Sequence, residues 1–409
     1  MIQHKFKIFK SNLKECEKMK VTGIVAEYNP FHNGHKYLID EARKRGAEII
    51  VTVMSGNFVQ RGDTAIISKF SRTKQALECG VDLVVELPTY WAMATAQKFS
   101  LGAIEILENI GVDTLIFGSE CGDIERIMKT AYCIRSKEFS SEMREQLDLG
   151  FTPAKAREIA VQKLCGNGEL LRSPNDTLAV EYVSAAKTFN SKMKFIVVKR
   201  QGVEHDSTDT NNEFCSASTL REMILSGKIE RASKYMPEKA YEILKAQYDD
   251  GKISDLKILE TTILSTLRTT SKEEYKALPD ISEGIENRLF SAARMGRNMK
   301  ELLEYAATKR YTNSRLRRLV LSAFLKAKST DIPETVPYIR VLGCNALGAE
   351  VLKTARENSK IPVIMRSTAL KGNPTFEFDV KSSDIYALSQ INPDQCGQEF
   401  TNGVIVKKD

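Results

Sequence analysis

Two of the four histidines in this 409-residue chain lie three positions apart in one short loop, Glu27-Tyr28-Asn29-Pro30-Phe31-His32-Asn33-Gly34-His35. The loop follows a β-branched run, and a helix is expected to start near His35. The N-terminus of a helix presents unpaired N–H groups and a partial positive charge, which suits a polyphosphate. Gly34 lets the backbone approach such a ligand closely. Two imidazoles held above that terminus can donate hydrogen bonds to phosphoryl oxygens as charge builds during displacement at phosphorus. Two plainer arrangements use the same residues: a solvent-facing histidine beside a helix cap, or a pair of zinc ligands. For zinc, Glu27 is the only carboxylate in the loop, and no cysteine or third histidine is close in sequence.

A second polar cluster, Ser216-Ala217-Ser218-Thr219-Leu220-Arg221, opens a helix after the fifth strand-like run. Hydroxyls and a guanidinium at a helix start can clamp the outer phosphates of a nucleotide, although a serine N-cap alone accounts for the same residues. The loop after the second strand-like run holds Gln60-Arg61-Gly62-Asp63, followed by Lys69 and Arg72, polar groups expected at the carboxyl edge of a sheet near a ligand cleft. Further on, Arg288, Arg294, Arg297, Lys300, Lys309, Arg310, Arg315, Arg317, Arg318, Lys326 and Lys328 face only Glu301 and Glu304, a local balance of +9 against +7 for the whole chain. That concentration on helical segments suits a nucleic-acid backbone, or a solvated face, and Tyr305 and Tyr311 could stack on exposed bases.

The elements that must position these groups follow from periodicity. VTGIVA (21–26), IIVTVM (49–54), DLVVEL (82–87), DTLIF (113–117) and KFIVVK (194–199) read as buried strands, separated by amphipathic segments that end at glycine. Strands alternating with helices predict a Rossmann-like, doubly wound parallel sheet, whose ligands bind beyond the carboxyl ends of the strands. After about residue 226 the texture turns helical, until a short strand-helix-strand pattern begins at Tyr338. The expected organisation is an N-terminal extension over 1–18, an α/β domain over 19–226 that carries the two phosphate-binding clusters, and a helical, basic region with a small α/β element over 227–409.

Composition bounds the class. With 42% hydrophobic and 28% charged residues the chain is ordinary globular material, and no apolar run approaches the roughly 20 residues that cross a bilayer. Its eight scattered cysteines lack zinc-knuckle or redox-pair spacing, and no signal peptide is apparent, so reduced thiols in a soluble cytoplasmic protein are expected.

Longer segments narrow the reading. GIVAEYNPFHNGHKYLI, the run GNFVQRGDTAIISKFSRTKQALECGVDLVVELP, FGSE (117–120), SPND (173–176), KRQGVEHDS (199–207), EGIENRL and TNSRLRR are collinear and together resemble the bacterial tRNA(Met) cytidine acetate ligase family of the nucleotidyltransferase superfamily. The extension before Met19 departs from that pattern, with Glu204 and Leu220 as local variants. The resemblance implies two steps: acetate attacks the α-phosphate of ATP to give acetyl-adenylate and pyrophosphate, then the wobble cytidine amine of elongator tRNA(Met) takes the acetyl group and AMP leaves. It implies that His32 and His35 stabilise the phosphoryl-transfer transition state. Val25, Ala26, Glu27, Tyr28, Asn29, Pro30, Phe31, Asn33, Gly34, Lys36, Tyr37 and Leu38 would hold ATP, with Mg²⁺ offsetting polyphosphate charge.

By the same match Gly118, Asn175 and Arg200 would contact ATP, and Ser216, Ser218 and Arg221 its outer phosphates. Taken as isolated residues these are also a turn glycine, a helix cap and a solvated arginine. Asp63 could position substrate or act as a base toward the cytidine amine, or be a turn residue, and it stays outside the catalytic pair. Arg294, Arg297, Lys309, Arg310, Arg315, Arg317 and Arg318 are the residues expected to hold tRNA, with no membrane or DNA partner and no protein-ligated metal. The competing readings are an adenylyltransferase acting on a small phosphorylated metabolite and an RNA-binding protein with a degenerate nucleotide site.

Overall fold

The computed structural model describes residues 19–200, 214–282 and 284–408, so the extension 1–18 and residues 201–207 of the KRQGVEHDS run, Glu204 included, lie outside the described residues. The strand-like runs form β1 (Val21–Ala26), β2 (Ile49–Ser55), β5 (Leu83–Leu87), β6 (Thr114–Ser119) and β7 (Lys194–Lys199), with a small hairpin, β3 (Phe58–Val59) and β4 (Asp63–Thr64), after β2. The five long strands are parallel, in the order β5-β2-β1-β6-β7. Every residue of β2 and β5 is buried, because helices cover both faces.

The helices that frame the site are α1 (Asn33–Lys44), α2 (Lys69–Glu78), α3 (Ala96–Ile110), α4 (Pro174–Thr188) and α5 (Ala217–Leu225). Along β2 the side chains alternate: Ile49, Val51 and Val53 join the apolar cluster of α3 and α4, while Ile50 and Met54 join that of α1, α2 and α5. The chain leaves β1 for β2 on one side and later returns to β6 on the other. The loop after β1 therefore lies at the point where the strand order reverses, where doubly wound sheets bind ligands.

The C-terminal half includes the helices Glu260–Thr269, α6 (Ile285–Met295), Met299–Ala306 and α7 (Asn313–Phe324), whose Leu264, Leu289, Leu302 and Leu319 share one apolar cluster with the sheet. The small strand-helix-strand element of the C-terminal region joins the main sheet. There β8 (Ile339–Cys344) pairs antiparallel with β5, and β9 (Val363–Ile364) and β10 (Ile405–Val406) pair parallel with β8. The physical reason is that β5, buried along its length, needs a partner on its open side.

The sheet is thus mixed at that edge, and the change of texture near 226 is not a break in it. Among the described residues every cysteine is a free thiol, and no helix is long and apolar enough to cross a membrane.

Candidate active site

Helix α1 starts at Asn33, two residues before the expected position, and His32 is its N-cap, in extended conformation. The two histidines cap the helix reciprocally. Nδ1 of His32 accepts the Gly34 N–H at 3.0 Å, and Nδ1 of His35 accepts the His32 N–H at 3.2 Å. A neutral ring that accepts at Nδ1 carries its proton on Nε2, so both side chains are Nε2–H donors. The rings stack with centroids 3.7 Å apart, backed by Tyr28 and Phe31 at 4.9 and 5.5 Å from the His35 ring. Gly34 is obligatory here: a Cβ would lie 2.9 Å from Cε1 of His32.

Burial, and then the positive charges of Arg200 and Arg221, push the His32 imidazole down to about 3. Burial, His32 and Arg200 likewise hold His35 well below the ordinary histidine range. Both rings are therefore neutral donors at physiological pH. The plainer helix-cap arrangement is also real, since capping is what orients the rings.

Most side chains of the loop hold it in place and leave its backbone as the surface. Tyr28 is buried at a left-handed φ of 48°, with its hydroxyl 3.1 Å from Thr52 Oγ1. Asn29, which precedes a cis proline, accepts the Ile66 N–H at 2.8 Å, and Phe31 is fully buried. Glu27 accepts the Gln60 N–H at 3.0 Å. Val25 and Ala26 are half-buried at the end of β1, and Lys36 pairs with Asp40 one helical turn on. Tyr37 lies edge-on to Phe214 at 6.0 Å, and Leu38 packs partly buried against the apolar cluster of α1.

Arg72 and Lys69 do not face a cleft. Arg72 has no exposure, and its guanidinium donates to the carbonyls of Glu27 (2.7 Å), Ser55 (2.9 Å), Ile67 (3.1 Å) and Gly56, gathering the carboxyl ends of β1 and β2. Burial lowers its pKa to about 10, which leaves it charged. Lys69 is sealed between Glu86 (2.5 Å) and Glu399 (2.6 Å), both of which also bind Arg340. Buried ions must be paired, so these polar residues became scaffold.

The second cluster reaches the first. Ser216 N-caps α5 through the Thr219 N–H at 3.1 Å and lies 2.8 Å from the Ser218 hydroxyl. Arg221 donates to the carbonyl of Asn29 at 2.8 Å, which joins the two motifs directly. Gly118 is the penultimate residue of β6, and the exposed Arg200 runs past it, with Cγ 3.6 Å from where a Cβ would stand.

Asn175 is not a cap, since Ser173 holds that position on α4; its amide donates to Glu120 at 2.5 Å. Glu120 also accepts the Asp176 N–H at 3.0 Å, and Asp176 accepts the Ser119 hydroxyl at 2.5 Å. Glu120 and Asp176, which sequence reasoning missed, thus lock β6 to α4. Both lie in quoted segments, FGSE and SPND, yet nothing in the linear pattern shows that they meet.

The basic region also divides. Arg315 and Arg318 are spent on Asp280, at 3.5 and 3.6 Å, and Arg318 also donates to the Gln60 carbonyl at 3.2 Å. Arg317 lies 3.6 Å from Asp63. Helix α7 packs so closely on the loop after β3 that a Cβ on Gly62, whose φ is +74°, would lie 2.5 Å from the Arg318 nitrogen. Arg294, Arg297, Lys309, Arg310 and Arg317 are exposed, with Arg294 stacked on Phe290 and Arg297 bonded to Glu301. Tyr305 is exposed, whereas Tyr311 is buried in the helical core and is not a stacking platform.

The sequence model of the HIGH nucleotidyl transferase family matches residues 19–400. The tRNA(Met) cytidine acetate ligase of Thermoanaerobacter sp. (strain X514) is 36% identical over 405 residues, covering 95% of this chain and 100% of that protein. That of Clostridium kluyveri (strain NBRC 12016) is 37% identical over 395 residues, covering 91% and 96%. The apo crystal structure of Thermotoga maritima TmcAL is similar with a TM-score of 0.90 at 31% identity, over 96% of this chain and 100% of that one. The same protein bound with alpha-thio ATP gives 0.88 at 31% identity, with the same coverage.

Proposed function

Because the chain belongs to the tRNA(Met) cytidine acetate ligase family of HIGH nucleotidyl transferases, we propose that it acetylates the wobble cytidine of elongator tRNA(Met) in the cytoplasm, using acetate and ATP. The observation that carries this reading is the reciprocal capping of α1, which fixes two neutral Nε2–H donors at a helix N-terminus beside Arg221.

An acetate oxygen attacks the α-phosphorus, the bond to the β-phosphate oxygen breaks, and pyrophosphate leaves with the electron pair. His32 and His35 donate to the phosphoryl oxygens as their charge grows, where positioned donors act most strongly. The backbone of Val25–Leu38 cradles the phosphates at the α1 N-terminus. Ser216, Ser218 and Arg221 hold the β- and γ-phosphates, while Gly118, Asn175 and Arg200 line the nucleoside side. Mg²⁺ would enter with the ATP and would supply offsetting charge on the polyphosphate, with Ser216, Ser218 and Arg221 as the residues on that side of the site.

In the second step the cytidine amine attacks the acetyl carbon of the adenylate, and AMP leaves. The exposed cations Arg294, Arg297, Lys309, Arg310 and Arg317 take the tRNA backbone, with Arg315 and Arg318 shaping that surface from beneath. The test is incorporation of labelled acetate into tRNA with ATP and Mg²⁺, comparing elongator tRNA(Met) with a tRNA lacking a wobble cytidine. Label confined to tRNA(Met) is the expected result. Pyrophosphate release without any label would sink the reading and move the acceptor to a small metabolite.

A further inference from the structure

Acetyl transfer to an amine needs a proton acceptor, because the nitrogen that adds to the acetyl carbon becomes positively charged and must lose a proton. The two histidines do not serve: each Nδ1 is occupied by a backbone N–H, and each Nε2 already carries its proton. Glu27, whose Oε1 accepts the Gln60 N–H, belongs to the loop assigned above to the ATP phosphates, and both oxygens of Glu120 are engaged, with Asn175 and Asp176. Asp63 is placed differently. Its Oδ1 accepts the Thr64 N–H at 2.9 Å, while Oδ2 faces Arg317 at 3.6 Å, beyond direct hydrogen-bond reach, and the side chain is 31% exposed.

The surroundings of Asp63 connect both halves of the reaction. Its hairpin leans on the histidine loop through Gln60 and Glu27, and on α7 through Gly62 and Arg318. Arg221, which holds the Asn29 carbonyl, lies within electrostatic range of Asp63. An adenylate on the histidine loop and a nucleic acid on α7 would meet at this carboxylate.

We propose that Asp63 is the general base of acetyl transfer, an inference that rests on the function argued above. As the cytidine amine bonds to the acetyl carbon, Asp63 Oδ2 takes the amine proton. The bond from that carbon to the AMP oxygen breaks, and AMP leaves with the electron pair. Burial raises the Asp63 carboxyl above the ordinary range, and Asp255 adds to this, which makes it a stronger base; Arg317 and Arg221 pull the other way and favour the ionised form.

The test separates the two half-reactions in the full-length protein. For Asp63→Asn, acetate-dependent ATP–pyrophosphate exchange should stay within about twofold of the unaltered protein. Single-turnover transfer from preformed acetyl-adenylate to tRNA(Met) should fall by about 100-fold or more. Asp63→Ser, which retains an acceptor for the Thr64 N–H, must show the same split, and Asp63→Glu should recover part of the transfer rate. Transfer within about tenfold of normal in both variants would overturn the assignment. So would a parallel loss of exchange, or a loss of tRNA affinity as large as the loss of transfer, either of which would make Asp63 a positioning residue. Failure of the functional reading itself would look different, since the unaltered protein would then label no tRNA.

Discussion

His32 and His35 stack face to face, 3.7 Å apart, and each ring accepts through Nδ1 a backbone N–H from the other's end of the same turn. The arrangement converts a helix cap into a pair of oriented donors, and it fixes the tautomer of both rings without any carboxylate.

Removing one donor should show in the first half-reaction alone. His35→Ala is expected to lower acetate-dependent pyrophosphate exchange by about 100- to 1000-fold, with tRNA affinity unchanged. Gly34→Ala should come close to that loss with the fold intact, because the added methyl would stand 2.9 Å from the His32 ring and turn it away. Exchange assays with filter binding and circular dichroism read all three quantities; a Gly34→Ala protein of normal exchange rate would refute the stereochemical argument.

The histidines also set an acid limit on stability. Their folded-state pKa values lie below the ordinary 6.5, so as pH falls through that value the unfolded chain takes up protons that the folded one refuses. Stability is thus complete above about 6.5 and declines below it, for His32 down to about pH 3, with each group adding about 1.4 kcal/mol per pH unit to the slope. Asp379 opposes this between 3.8 and about 6, because burial raises its carboxyl and the folded chain keeps that proton. Urea midpoints between pH 7 and 5 should therefore fall, more steeply in Asp379→Asn and less steeply in His32→Gln. A midpoint independent of pH over that range would contradict the burial of the pair.

Glu399 lies at the centre of the buried ionic group, between Lys69 and Arg340, which hold its carboxyl down at about 2. Glu399→Gln leaves two buried cations sharing Glu86, and breaking a buried pair costs about 3–5 kcal/mol. Chemical denaturation is the measurement, and a change below about 1 kcal/mol would mean that water reaches the site.

Within the basic region the structure separates two kinds of arginine. Replacing Lys309 and Arg310 by Gln should weaken tRNA binding and reduce its salt slope by roughly one per residue, at unchanged thermal stability. Arg318→Gln should do the reverse, lowering the melting temperature through the loss of Asp280 and the Gln60 carbonyl. If Arg318→Gln instead reduced only tRNA affinity, the division would fail.

The five parallel strands were legible because helices on both faces leave their β-branched runs uninterrupted, and the histidine loop because its spacing is short-range. What escaped the sequence is long-range pairing. YIRVLG reads as a strand, but nothing in it names β5 as its partner, and Arg340 meets Glu86 across 254 positions. Lys69 and Arg72 lie in a polar loop-to-helix segment where exposure is the default for such residues. Only the convergence of backbone carbonyls on one guanidinium shows why Arg72 is inside. Tyr311 differs for a similar reason: its neighbours in sequence are polar, and the core that covers it comes from other helices.

The partnership of β5 with β8 also sets a clock on synthesis. At about 5–20 residues per second, the 254 positions from Glu86 to Arg340 take roughly 13–50 s to leave the ribosome. Throughout that interval the nucleotide half carries an open sheet edge at β5, with Lys69 and Glu86 awaiting Arg340 and Glu399, the other two members of their ionic group. The nascent chain is then most exposed to edge-to-edge association, so the moment at which β8 docks governs how much of the newly made protein stays unassociated.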